Sequence, residues 1–116
     1  MRDLLVQLAG TLAIAVSVMH GVLAETKIFP RARIEPEHVR RLIRLVWQCG
    51  TLAWISLAVL LVAAPKLGSE TARDWIIAAS IVTYGFAAIA NAWATRGRHI
   101  GWVAMVIVVV LASDGL

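Results

Sequence analysis

This chain of 116 residues should fold as an all-α integral membrane protein, four transmembrane helices in an up-and-down bundle with both termini outside. Three features carry that expectation. Hydrophobic types make up 60% of the residues and charged types 16%, against about 45–50% and about 25% in a soluble domain. Four apolar runs approach the roughly 20 residues that cross a bilayer. The charges lie between those runs, with no Asp, Glu, Lys or Arg in the central part of any of them. This composition excludes intrinsic disorder, which requires low hydrophobicity and high net charge. It also excludes a soluble globule, since so small a body has too little interior to hide this much apolar surface. The single cysteine, Cys49, excludes an intrachain disulfide and any cysteine-rich metal motif.

The first helix is expected over residues 4–24. It holds no charge, and its polar members are Gln7, Thr11, Ser17 and His20. Val22-Leu23-Ala24 before Glu25 has the look of a signal-peptide cleavage site, but the segment ahead of the apolar run is nearly neutral and the run is long, so a retained helix is expected. The second helix is expected over 37–64. Pro36 suits a helix first turn, and Glu37 complements the positive end of the helix dipole. The third is expected over 74–95, with Ser69 or Thr71 as its cap. The fourth, over 97–113, is short. Its apolar part rises roughly 20 Å at 1.5 Å per residue, against a hydrocarbon core of roughly 30 Å. Snorkelling of Arg96 and Arg98 would extend its reach, and a partly re-entrant helix is the alternative.

Lysine and arginine set the orientation. The first connection and the start of the second helix carry Lys27, Arg31, Arg33, Arg40, Arg41 and Arg44, and the last turn carries Arg96 and Arg98. The middle connection has Lys66 and Arg73, the N-terminus Arg2. The basic loops 25–36 and 95–99 are therefore expected in the cytoplasm. Trp47, Trp93 and Trp102 then fall at the inner interface and Trp75 at the outer one, as an aromatic belt requires, while Trp54 falls near the midplane. The net charge of +4 follows from this topology. Arg31, Arg33, Arg40, Arg41 and Arg44 are candidates for anionic lipid headgroups. Arginines at helix ends beside a bilayer make nucleic acid an excluded partner.

Small residues recur every four positions in the first helix, at Ala9, Ala13, Ser17 and Gly21, and such a stripe lets a second backbone approach closely. Ala79, Thr83 and Ala87, and also Ala88 and Ala92, offer a similar surface in the third, and Gly50 and Ala53 do so in the second. These are expected to pack the bundle or face a partner chain. His20, His38 and His99 all fall on the cytoplasmic side with Glu25, a set of ligand types suited to a first-row metal. No local ligand motif joins them, and gathering of polar residues at the interface accounts for them equally. Gln48, Asn91 and Tyr84 are the polar groups at depth. They either hydrogen-bond across helices, Gln48 and Asn91 with each other or with His20, or line a polar path. No nucleophile–base pair stands out, no cofactor is implied, and no enzyme activity is expected.

Three short stretches carry a family resemblance. His20-Gly21-Val22-Leu23-Ala24-Glu25 resembles an H-S-x-L-G-E pattern closing the first helix in a group of small, functionally uncharacterised bacterial four-helix membrane proteins. Arg44-Leu45-Val46-Trp47-Gln48 is similar to that group's R-x-x-W-H, and Arg96-Gly97-Arg98-His99-Ile100-Gly101-Trp102 to its R-G-R-H-x-x-W. Ala24 stands where glycine is usual and Gln48 where histidine is usual, which weakens a metal or haem reading. The resemblance implies a four-helix fold in a bacterial inner membrane, with His20, Glu25, Gln48 and His99 clustered near its inner face. It implies no activity.

The function expected from these residues is that of a non-enzymatic interaction protein, an accessory or assembly subunit of a larger energy-converting or transport complex. Its partners would be membrane lipids and other membrane subunits, or further copies of itself. A small homo-oligomeric channel or carrier and an inner-face metal- or lipid-binding protein are the alternatives.

Overall fold

A computed structural model describes residues 1–116 and contains four α-helices and no strand. They are α1 (Arg2–Leu23), α2 (Glu37–Ala63), α3 (Glu70–Ala94) and α4 (Gly101–Ser113). A π-helical turn, Ala24–Ile28, prolongs α1, and a 3-10 turn, Ala64–Lys66, ends α2. Together with these turns, α1 and α2 are long and apolar enough to cross a membrane, as is α3, whereas α4 is shorter.

Local chemistry explains where the helices start and stop. Pro36 is extended, and its carbonyl accepts the first amides of α2, from Val39 at 3.0 Å and Arg40 at 3.2 Å. Ser69 caps α3 as expected, its Oγ accepting from the Ala72 amide at 3.1 Å. That cap starts α3 at Glu70 rather than near residue 74, and so draws Arg73 into the helix. At its other end α3 closes in a Schellman motif. The Gly97 amide donates to the Ala92 carbonyl at 2.7 Å and the Arg96 amide to the Trp93 carbonyl at 3.3 Å, with both residues left-handed at φ 75° and 53°. Arg96 occupies the position where glycine is usual. This closure delays α4 to Gly101, four residues beyond its expected start.

The helices run alternately up and down. Arg73, in the first turn of α3, reaches both Asp3 at the start of α1 and the Gly115 carbonyl just after α4. At the opposite end Glu25 meets Arg44 and Gln48 of α2. These are called the terminal end and the loop end below. α1 packs most heavily on α2, α3 on α4, and α1 also lies against α4, while the α2–α3 seam is the thinnest.

Small side chains set this packing. Ala9, Ala13, Ser17 and Gly21 are all buried, and Gly10 beside them makes the closest approach. A Cβ on Gly10 would lie 2.5 Å from Val62 Cγ2, 2.8 Å from the Val62 amide nitrogen and 3.0 Å from the Ala58 carbonyl oxygen, so the two backbones touch there. On α3 the inward residues are Arg73, Ile77, Ser80, Tyr84 and Ala88. Of the expected small residues only Ala88 lies on that face: Ala79 is exposed, and Thr83, Ala87 and Ala92 are half-buried. Gly50 and Ala53 likewise do not build the α1–α2 contact, since no neighbour lies within 4 Å of a Cβ on Gly50 and Ala53 is exposed. The outer face of α3 is apolar instead. Trp75, Val82, Phe86, Ile89 and Trp93 are each more than 70% exposed. Trp75 and Trp93 stand roughly 27 Å apart along the helix axis, close to the thickness of a bilayer core.

Candidate functional site

The loop end gathers most of the chain's polar and aromatic chemistry. His20 lies near the end of α1, and two turns of α2 carry Trp47, Thr51 and Trp54 at spacings of four and three on one face. The imidazole is sandwiched between the indoles, stacked on Trp47 at 4.6 Å between centroids and tilted against Trp54 at 4.4 Å. Its Nδ1 lies 2.9 Å from Thr51 Oγ1, which also lies 3.2 Å from the Trp47 carbonyl. A hydroxyl has one proton; given to that carbonyl, it leaves Oγ1 to accept from Nδ1–H. Trp47 Nε1 donates to the His20 carbonyl at 3.1 Å and so ties the ring's own backbone to α2. Trp54 then meets Tyr84 of α3 edge-on at 5.8 Å, and the Tyr84 hydroxyl donates to the Trp54 carbonyl at 2.7 Å. A continuous aromatic column thus joins α1, α2 and α3.

Toward the loop, Glu25 takes the cations. Arg44 donates to both of its carboxylate oxygens in a bidentate pair, the geometry in which guanidinium and carboxylate match best. Gln48 Nε2 donates to Glu25 Oε1 at 2.9 Å and to the Gly21 carbonyl at 3.0 Å. Arg40 donates to the Phe29 carbonyl at 2.6 Å, which anchors the connection onto α2, and Phe29 packs edge-on against Trp47. The π-helical turn fits this picture: its wider winding carries the chain from Glu25 to Phe29 over the start of α2.

The structure redistributes the expected site residues. His20 and Glu25 belong to one network, but His38 and His99 are exposed, and no group of three metal-ligand side chains comes together. The four-residue metal set is therefore not assembled. His20 is filled by its indole neighbours, Glu25 by Arg44 and Gln48, and His99 Nδ1 accepts from the Gly101 amide at 3.0 Å. Gln48 and Asn91 do not meet. Gln48 is bound to α1, and Asn91 sits beside the start of α4, its Oδ1 buried without a donor. Of the five basic residues matched to lipid headgroups, Arg40 and Arg44 are engaged within the chain, leaving Arg31, Arg33 and Arg41 exposed and unpaired. Ser17 gives its hydroxyl proton to the Ala13 carbonyl at 2.7 Å, and Cys49 is exposed on α2, so neither nucleophile faces a base.

Two features were not anticipated. The W-x-x-x-T-x-x-W face of α2 was visible in the sequence as an i, i+4, i+7 pattern, yet Trp54 read as a stray midplane residue. The second is a clamp at the terminal end. Arg73, only 4% exposed, pairs with Asp3 and donates to the Gly115 carbonyl from Nη2 at 2.9 Å and from Nε at 3.2 Å. Arg2 donates to the same carbonyl at 3.1 Å.

A groove runs along the outside of the α3–α4 pair. It measures about 360 Å³ and is walled by Ala88, Ile89 and Ala92 of α3 and Trp102, Val106 and Val109 of α4, with Gly85 at its far end. Compared with known proteins, the chain matches no protein-family model, no curated protein and no solved structure.

Proposed function

We propose that this chain is a multi-pass protein of the bacterial inner membrane that performs no chemistry of its own and acts by binding another membrane chain. In this reading all four helices cross the bilayer, both termini lie outside, and the basic connections 25–36 and 95–99 lie in the cytoplasm. The short α4 reaches its interface through the Schellman turn, from which Arg96 and Arg98 snorkel. The accessory or assembly subunit of a larger complex is the role this supports best.

One observation carries the reading. α2 is the longest helix, 27 residues, yet buries only Thr51, Ala58 and Leu61. Its outer face and the thin α2–α3 seam leave room for a further helix. Two of the polar groups a channel would use are engaged inside the bundle, which favours this reading over the channel, while Asn91 Oδ1 keeps no donor. Gln48 and Tyr84 spend their donors on carbonyls and a carboxylate inside the bundle, and Thr51 is taken by His20 and Trp47. Extraction in mild detergent followed by native mass spectrometry tests the proposal. A fixed assembly containing other chains is expected; a solitary 12.6 kDa species or a pure multiple of it would overturn it.

A further inference from the structure

We propose that the groove between α3 and α4 binds one acyl chain of an anionic phospholipid, whose headgroup is held by Arg96 and Arg98. The inference rests on the membrane location proposed above. It does not depend on the partner chain.

Shape comes first. The α3 wall of the groove is low because its residues are small, Gly85, Ala88 and Ala92, while Trp102 closes the loop end of the α4 wall. A Cβ on Gly85 would meet only Val109 Cγ2, at 3.9 Å, so the space is open rather than a site of close helix packing. This glycine does not serve the bundle in the way that Gly10 does. The groove is flanked on α3 by the exposed side chains of Phe86 and Trp93, so it opens toward the hydrocarbon.

Charge comes second. Trp102 Nε1 donates to the Gly97 carbonyl at 3.0 Å, which holds the turn 95–99 over the loop end of the groove. Arg96 and Arg98 flank Gly97. The three ion pairs of the chain employ Arg2, Arg44 and Arg73, and neither the Arg96 nor the Arg98 side chain donates to any group in the chain. An apolar slot whose loop end lies beside a turn carrying two exposed, unpaired arginines is complementary to a chain bearing a phosphate headgroup without a compensating ammonium. Arg31 and Arg33 are equally exposed and unpaired but do not line this groove, and they serve as an internal control.

The experiment uses the full chain reconstituted into nanodiscs of phosphatidylcholine with a minor fraction of phosphatidylglycerol, then released for native mass spectrometry with lipid adducts counted per chain. One retained lipid is expected, with the ratio of phosphatidylglycerol to phosphatidylcholine raised about thirtyfold over that of the bilayer, the order expected for two basic residues near the surface. Arg96→Gln with Arg98→Gln should abolish most of that enrichment. Gly85→Leu, or Val106→Trp from the opposite wall, should remove the retained lipid of either class, with helicity checked by circular dichroism. Arg31→Gln with Arg33→Gln should behave as wild type. Equal retention of both lipids overturns the proposal. So does enrichment that survives the loss of Arg96 and Arg98 or falls equally with the control pair, and so does a dimer in place of a lipid adduct. Loss of the lipid with partner chains still bound refutes the groove alone, whereas lipid retention by a chain without partners refutes the proposed function alone.

Discussion

Two glycines on different helices should respond to the same substitution with opposite signs. Gly10→Ala adds a methyl group where the nearest atoms are 2.5, 2.8 and 3.0 Å away, and two of the three are backbone atoms of α2. Backbone cannot rotate aside, so α1 and α2 must separate along a seam built by Ala9, Ala13 and Ser17. Overpacking of this kind costs about 1–3 kcal/mol. The intrinsic helix preference of alanine over glycine returns up to about 1 kcal/mol. The net expectation is a loss of about 1–2 kcal/mol. Gly50→Ala adds the same methyl where nothing lies within 4 Å, so only the favourable term acts, and a gain of up to about 1 kcal/mol is expected. Gly21→Ala lies between, because its close neighbours are side-chain atoms, Thr51 Cγ2 at 2.8 Å and Gln48 Oε1 at 3.0 Å, which can turn away at the cost of the Gln48 bonds.

The assay is SDS titration of the purified protein in mixed micelles, followed by near-ultraviolet circular dichroism of the tryptophans. SDS-denatured membrane chains keep much of their helix, which shrinks the propensity term at all three positions but leaves the steric term at Gly10 whole. The order Gly50→Ala, Gly21→Ala, Gly10→Ala from most to least stable is therefore robust to the reference state. Gly10→Ala as stable as wild type, or Gly50→Ala losing as much as Gly10→Ala, would refute the close α1–α2 crossing.

Removing the buried guanidinium with Arg73→Met should cost about 1.5–3 kcal/mol, the range for hydrogen bonds to a charged group, and should speed hydrogen exchange over residues 112–116. Tyr84→Phe strips the Trp54 carbonyl of its donor and should cost about 0.6–1 kcal/mol, as interhelical bonds in membranes do, while Tyr84→Ala should be far worse because it empties a fully buried site. His20→Ala should lose about 1–3 kcal/mol and the near-ultraviolet circular dichroism of the two indoles that hold the ring; His20→Phe should keep most of both, since two aromatic contacts at about 0.5–1.5 kcal/mol each outweigh the one bond to Thr51. In a Cys49→Ser background, cysteines placed at Arg33 and Arg98 should label only from the cytoplasm and one at Leu67 only from outside; the reverse pattern would invert the proposed topology.

The parts of this fold legible in the sequence are those fixed by one helix at a time. The four apolar runs, the Ser69 cap and the Ala9, Ala13, Ser17 and Gly21 stripe each depend on local spacing, and each is found. What failed needed knowledge of a second helix. Ala79, Thr83 and Ala87 make as good a small-residue stripe as the one on α1, but for packing within the bundle α3 turns Ile77, Tyr84 and, of its expected small residues, Ala88 inward, because Tyr84 has a carbonyl to bind and Trp54 to pack against. Arg73 read as a charge in an external connection, because nothing local reveals that the Gly115 carbonyl, more than forty positions away, is its acceptor. The metal set failed for a related reason. Placing three histidines and a carboxylate at one membrane level does not orient them, and the two indoles that claim His20 belong to a helix with no metal ligand on that face.

The distribution of polar contacts bears on what such a bundle can do. The interhelical side-chain bonds gather toward the loop end and at the terminal end, around the His20 column and around Arg73, while the rest of the interior is Val6, Ala9, Ala13, Leu61, Ile77 and Val108. A carrier that rocks its halves would have to break contacts at one end while keeping those at the other, and a channel would need polar groups left free along the middle. Here both ends join α1 to other helices: the column ties it to α2, and Arg73 ties it to α3 and to Gly115, two residues after α4. The one pair of neighbours with neither a thick seam nor an ionic tie is α2 and α3, linked mainly by Tyr84. On the proposed function, this lightly fastened seam is where a further helix would lie. That reading predicts crosslinks to a partner chain from α2 and α3 rather than along an axis through the middle.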